Sequence, residues 1–188
     1  MINLNDKQYQ SHGDGESEKE LHKKLSRDCK LGIVEIGVLN GDTTKIFCES
    51  NSEVPVFGID PIVPDSMNSD LIGSERKILD LTEQYKNFTF IKDYSHNVVK
   101  DFNHKFDYIF IDGDHRYEGV KRDFEEWVPK LEIGGYVALH DSAVNRGGPM
   151  WWPEPSRLAD EIITASELEY VDTVFTITLF RKIKWKKF

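Results

Sequence analysis

Apolar residues in this chain come in short consecutive runs, separated by stretches where they recur every three or four positions. The runs are Leu31–Ile36, Val54–Asp60, Phe88–Ile91, Phe106–Asp112 and Tyr136–Leu139, rich in β-branched and aromatic side chains. Apolarity at consecutive positions marks strands buried on both faces. Between them, Ile46 and Phe47, then Ile78, Leu81 and Tyr85, then Val98, Val99 and Phe102 each lie on one side of a helix. The longest stripe is Tyr117, Val120, Phe124, Trp127, Val128 and Leu131, and a last one is Leu158, Ile162 and Ala165. Ser74 is placed to cap one helix, and Pro129 to end or bend another. Two further strands, near 168–173 and 175–181, are linked too tightly for a crossover and form an antiparallel hairpin. Strict strand–helix alternation predicts an α/β fold: a doubly wound, mostly parallel, seven-stranded sheet with a C-terminal antiparallel hairpin.

Residues 1–28 stand apart from the domain expected over 29–188. Residues 1–15 are polar and read as a mobile arm. Residues 16–28 are charged, with Leu21 and Leu25 four apart, and read as a short solvated helix over a sheet edge.

The first strand carries the most informative turn. Leu31–Ile36 runs into Gly37-Val38-Leu39-Asn40-Gly41-Asp42-Thr43-Thr44. Glycine lets a backbone approach a ligand closely, and the following helix start offers free N–H groups and a threonine hydroxyl as a cap. The spacing G-x-x-x-G is neither the G-x-G-x-x-G of NAD-binding folds nor a P-loop, which needs Gly-Lys-Ser/Thr. Glu35, two places before the first glycine, repels a pyrophosphate and suits a cationic ligand. Asp60 closes the second strand 23 residues after Gly37, about where an acid holds ribose hydroxyls in nucleotide-binding α/β folds.

Composition narrows the classes. The chain has 188 residues, enough for one domain with a sizeable core. A net charge of −9 argues against a general nucleic-acid binder. Cys29 and Cys48 match no metal or redox spacing, and Cys48 reads as a buried thiol. There is no signal-peptide pattern and no apolar run of membrane-spanning length, so a soluble cytoplasmic enzyme is expected.

The ends of the fourth and fifth strands carry the chemistry. Asp112, Asp114 and His115 follow one, and His140 and Asp141 follow the other. In an open α/β sheet these ends face the ligand crevice. If the strands are neighbours, Asp112 and Asp141 lie close, so one takes a proton or a cation joins them. Oxygen ligands favour Mg²⁺, Mn²⁺ or Ca²⁺, and a histidine ligand at His140 shifts the choice toward Mn²⁺ or another transition metal. In the loop beyond, Trp151 and Trp152 offer aromatic faces for an acceptor and Arg146 a charge for an anionic one. The basic tail Arg181–Phe188 reads as a solvated strand end.

Two resemblances attach to these residues. Glu35-x-Gly37-x-x-x-Gly41 resembles motif I of class I methyltransferases, which use S-adenosylmethionine (SAM) on a Rossmann-like sheet. Ile111-Asp112-Gly113-Asp114-His115-x-Tyr117-Glu118-x-Val120, with Asp123, Trp127, Gly134-Gly135 and His140-Asp141, is similar to metal-dependent O-methyltransferases of the macrocin type and the cephamycin cluster. The likeness covers about residues 31–142. It implies a SAM site at Glu35, Gly37, Gly41, Thr43, Asp60, Asp93, Ser95 and Asp112, with Asp93 and Ser95 at the adenine. It implies a divalent cation (Mg²⁺ or Mn²⁺) on Asp112 and Asp141. His140 stands where the family has another acid. The base is His115 or Asp114. The acceptor implied is a hydroxyl on a sugar, glycan or small natural product; a homo-oligomer fits the family. The alternatives are a NAD-type oxidoreductase, a metal-dependent hydrolase on Asp112 and Asp141, and a catalytically silent SAM-binding module.

Overall fold

The computed structural model describes residues 12–65, 67–165 and 168–184. Helix α1 (Gly15–Asp28) leads into β1 (Ile33–Ile36), α2 (Asp42–Ser50), β2 (Val56–Ile59), α3 (Glu75–Thr82) and β3 (Phe88–Ile91). The second half runs α4 (Ser95–Asp101), β4 (Tyr108–Ile111), α5 (Tyr117–Trp127), β5 (Tyr136–Leu139), α6 (Pro153–Ala165), β6 (Leu168–Val174) and β7 (Ile177–Lys182). The seven strands form one sheet in the order β3-β2-β1-β4-β5-β7-β6. The first five are parallel, β7 pairs antiparallel with β5, and β6 pairs antiparallel with β7. The strand order reverses between β1 and β4, which places the ligand crevice at their carboxyl ends.

Consecutive strand residues face opposite sides of the sheet, and the core divides accordingly. Val34, Ile36, Ile109, Ile111, Val137 and Leu139 pack under α4, α5 and α6 through Val99, Phe124, Trp127 and Ile162. Ile33, Val56, Tyr108, Phe110 and Ala138 pack under α1 and α2 through Leu25, Phe47 and Cys48. Trp127 is fully buried; truncating such a side chain costs about 3–5 kcal/mol.

Three local expectations are corrected. Helix α2 has no threonine cap: its N-cap is Gly41 in the left-handed region, without a side-chain hydrogen bond. Thr44 instead turns inward and donates its hydroxyl to Glu35. The helix α1 is not merely a solvated cover, since Glu18 and His22 turn into the protein. Lys182 is not a solvated strand end; its buried ammonium donates to the carbonyls of Val128, Pro129 and Leu131 at 2.9, 3.0 and 2.5 Å. Of the N-terminal arm, residues 1–11 lie outside the described residues. His12 is hydrogen-bonded through its backbone to Thr173 and Phe175. In the basic tail, residues 185–188 also lie outside them.

Candidate active site

A cleft of about 610 Å³ opens along the carboxyl ends of β1, β2 and β4. Its floor is the turn after β1. Gly37 has φ +87°, and a Cβ there would stand 2.0 Å from the carbonyl oxygen of Asp112, so no side chain fits. The loop that follows is fixed by Asp60: its Oδ2 accepts from Val38 N–H and Leu39 N–H, both at 2.9 Å, and its Oδ1 from Ile62 N–H at 2.7 Å. Asp60 thus shapes the loop and still lines the cleft.

Ser95, Asp112, Asp114, His115, His140 and Asp141 line the same cleft. Glu35, Gly41, Thr43 and Asp93 do not. Glu35 is buried behind the loop, and burial pushes its carboxyl well above the usual range against the opposing Thr44 hydrogen bond. Asp93 is exposed and braces the start of α4, accepting from Tyr94 N–H at 2.7 Å and the Asn97 amide at 2.9 Å.

Parallel pairing of β4 with β5 brings the acids and histidines together. Ile111 stands beside Leu139 in the register, so Asp112 and His140 follow side by side. His140 Nδ1 lies 2.9 Å from Asp112 Oδ1 and 3.4 Å from Asp141 Oδ2. Its angles make no hydrogen bond, and the nitrogen is buried. His115 Nε2 lies 3.3 Å from Asp141 Oδ2 and 3.7 Å from Asp112 Oδ1. Its Nδ1 lies 3.1 Å from Asp65 Oδ2. Asp141 adopts a left-handed backbone at φ 49°, unusual for a non-glycine residue, which turns its carboxylate toward both rings.

The electrostatics follow from this packing. Burial disfavours the His115 imidazolium, but Asp112, Asp141 and Asp65 overcome it and raise the pKa to about 10. His140 is raised well above its ordinary value, against burial, by Asp112, Asp141 and Glu18. Burial likewise opposes ionisation of Asp112 and Asp141, and the imidazoles hold both below the usual carboxylate range.

Asp114 is committed elsewhere: Arg116 donates to it from backbone N–H, Nε and Nη2, the last at 2.6 Å. Trp152 stacks on His115 with centroids 4.7 Å apart and an interplanar angle of 23°. Trp151 is exposed. Arg146 does not reach toward an acceptor. It is buried, donating to Asp160 and to the carbonyl of Ser142, and so anchors the loop after β5 to α6.

A family described as a methyltransferase domain matches residues 34–142, more than half of the chain. The chain belongs to the methyltransferase domain family. Protein R132 of Acanthamoeba polyphaga mimivirus, uncharacterised, is 26% identical over 141 residues. The match covers 70% of this chain and 61% of the viral protein. The O-methyltransferase TomG from Streptomyces achromogenes, solved with SAM, shares the fold at TM-score 0.66 and 12% identity, over 92% of this chain and 82% of its own. CalS11, a TDP-rhamnose 3'-O-methyltransferase of calicheamicin biosynthesis, does so at TM-score 0.61 and 14% identity, over 87% and 76%.

The methyltransferase domain's donor set fits a divalent cation. Asp112, His115 and Asp141 each offer a ligand atom, all within 4.8 Å of one another. His140 Nδ1, buried 2.9 Å from Asp112 Oδ1 and without a hydrogen bond of good angle among the described residues, adds a further nitrogen. The carboxylates of Glu18, Asp65, Asp112 and Asp141 outnumber the two imidazoles they face. Two of these acids were not recognised from sequence. Glu18 reaches in from α1, with Oε2 3.9 Å from His140 Nε2 and Oε1 accepting from Thr176 N–H at 2.8 Å. Asp65 comes from the loop after β2. Among the described residues, no helix is long and apolar enough to cross a membrane.

Proposed function

We propose that the domain binds SAM in the cleft and transfers its methyl group to a hydroxyl of a sugar, glycan or small natural product, assisted by a divalent cation. The observation that carries this reading is a single cleft joining the Gly37 loop to the carboxylate–imidazole cluster at the ends of β4 and β5. The closeness of Asp112 and Asp141 supports a cation there, with His140 Nδ1 beside them as third ligand. The SAM-bound TomG and the sugar O-methyltransferase CalS11 share the fold and support the reaction class.

SAM supplies an activated methyl electrophile, so the protein has to bind, orient and deprotonate. Gly37 and Asp60 shape the SAM end. The cation would be held by Asp112, Asp141 and His140, and it would acidify an acceptor hydroxyl. His115 is favoured over Asp114 as base. Asp114 is engaged by Arg116, whereas His115 has its Nδ1 fixed by Asp65 and its Nε2 in the cleft. A cation on Asp112 and Asp141 would offset the charge that retains the His115 proton. His115 would then be able to take the proton of a hydroxyl held about 3–3.5 Å from the methyl carbon. Trp152, stacked on His115, excludes water from that face.

Methyl-labelled SAM with a panel of hydroxylated sugars and natural products tests the proposal. Label should pass to an oxygen and the rate should fall in EDTA. Label on nitrogen or carbon only would contradict it.

A further inference from the structure

One backbone conformation beside the cleft is out of keeping with its side chain. Ile62 stands at φ 55°. That left-handed region suits glycine or asparagine, and a β-branched residue is a rare occupant of it. Such a conformation persists only where the surrounding structure over-determines it.

The surroundings do so from both sides. Ile62 belongs to Asp60-Pro61-Ile62-Val63-Pro64-Asp65, a strap that leaves the end of β2 with a carboxylate at each end. The rings fix φ at Pro61 and Pro64, and Val63, before a proline, is confined to extended backbone. Of the four residues between the acids, Ile62 alone has both dihedrals free of a proline. Its N–H donates to Asp60 Oδ1 at 2.7 Å. The other oxygen of Asp60 grips the Gly37 loop through Val38 N–H and Leu39 N–H. At the far end, Asp65 N–H donates to the Leu71 carbonyl at 2.8 Å, and Asp65 Oδ2 lies 3.1 Å from His115 Nδ1. Pro61, Val63, Pro64 and Asp65 line the cleft, and Ile62 does not.

We propose that Ile62 is a positioning residue: its left-handed bend aims the strap so that Asp65 meets the His115 imidazole. The sign of the backbone dihedral is what counts, and the side chain at this position is incidental. The inference rests on the reading of His115 as base in a SAM-dependent transfer and extends it. The carboxylate that orients the base is itself aimed by a residue outside the cleft lining.

Two substitutions separate backbone from side chain. I62G deletes the side chain and accepts the left-handed region freely. I62P forbids that region, since a proline φ is fixed at about −65°, and removes the N–H given to Asp60. The readout is the His115 Nδ1–H proton, followed by NMR in chelator on the full chain with isotope-labelled histidine and identified by its absence in H115Q. The His115 and Asp65 side chains are only 11% and 10% exposed, so a proton held between them exchanges slowly with water. Exchange in I62G should stay within about threefold of wild type, and in I62P it should be at least about tenfold faster, as in D65A. Calorimetric titration of S-adenosylhomocysteine (SAH) into the same proteins, each first shown to be folded by thermal denaturation, should give affinities within about threefold, because Asp60 keeps Val38 and Leu39.

Wild-type protection in I62P would overturn the inference. So would loss of protection in I62G, which makes side-chain packing the operative feature and decides the matter even if I62P does not fold. Loss of SAH affinity in I62P would make the bend a support of the Gly37 loop and overturn it too. Absence of the protected proton in wild type would remove the contact that the bend is said to aim. Failure of wild type to bind SAH, with that proton in place, would overturn the SAM reading and leave the aim of Asp65 standing.

Discussion

The imidazole of His115 is held between two carboxylates, with Nδ1 3.1 Å from Asp65 and Nε2 3.3 Å from Asp141. Asp65 is itself anchored, its other oxygen accepting from Met67 N–H and Asn68 N–H at 2.8 Å. A carboxylate fixed in this way holds the ring in one tautomer and presents Nε2 to the cleft. In D65N the amide cannot hold that tautomer equally well. The expected outcome is a fall in kcat of about 10²-fold with SAH affinity unchanged, as for a base that has lost its orienting partner. Equal losses in kcat and SAH affinity would instead mark Asp65 as a loop residue only.

The cluster predicts a cation requirement with a specific footprint. Manganese titration, read by electron paramagnetic resonance, should give one site in wild type and none in D112N or D141N. In E18A the site should persist with about 10–100-fold lower affinity, the usual effect of removing a carboxylate that orients a ligating histidine. Unaltered manganese binding in D112N would place the cation elsewhere.

Gly37 tests the loop. Alanine there combines a strained φ of +87° with a Cβ 2.0 Å from a backbone oxygen. G37A should lose about 2–4 kcal/mol of stability in urea denaturation, and SAH binding with it. A stable G37A that binds SAH normally would mean that the turn is not a ligand floor.

His22 supplies a pH dependence away from the chemistry. It lies between Phe47 and Phe110, hydrogen-bonded to the Tyr108 hydroxyl at 2.7 Å. Burial, then the charge on His140, lowers its pKa from 6.5 to about 4. A histidine depressed in the folded state leaves stability intact above pH 6.5 and removes it as pH falls toward 4. The loss is on the order of 3 kcal/mol. Denaturant melts of wild type and H22Q between pH 8 and pH 4 isolate this contribution from the carboxylates that titrate in the same range. The H22Q curve should be flatter; parallel curves would place the acid sensitivity elsewhere.

Much of this was legible in sequence because it is local. Buried parallel strands are apolar at successive positions, and each ends in the residue that the sheet delivers to the crevice. Asp60, Asp112, His115, His140 and Asp141, at or just beyond strand ends, were expected at the crevice for this reason, and all five line the cleft. What escaped depends on chain segments folding over from elsewhere. Asp65 belongs to a long loop without periodicity. Glu18 and His22 share a face with Leu21 and Leu25. A polar group on an apolar helical stripe was the available signal there. The expected threonine cap is absent because a hydroxyl in the first turn of a helix, here Thr44, serves a buried acid as readily as the helix end. Arg146 was misread because loop arginines are usually exposed, and this one is the loop's own anchor.

The most direct measurement is calorimetric titration of SAH into the wild-type chain, with NAD as control and with manganese present or chelated. Saturable one-to-one SAH binding in the micromolar range, about −8 kcal/mol, without NAD binding is the expected result. No SAH binding under either metal condition, or equal binding of NAD, would contradict it.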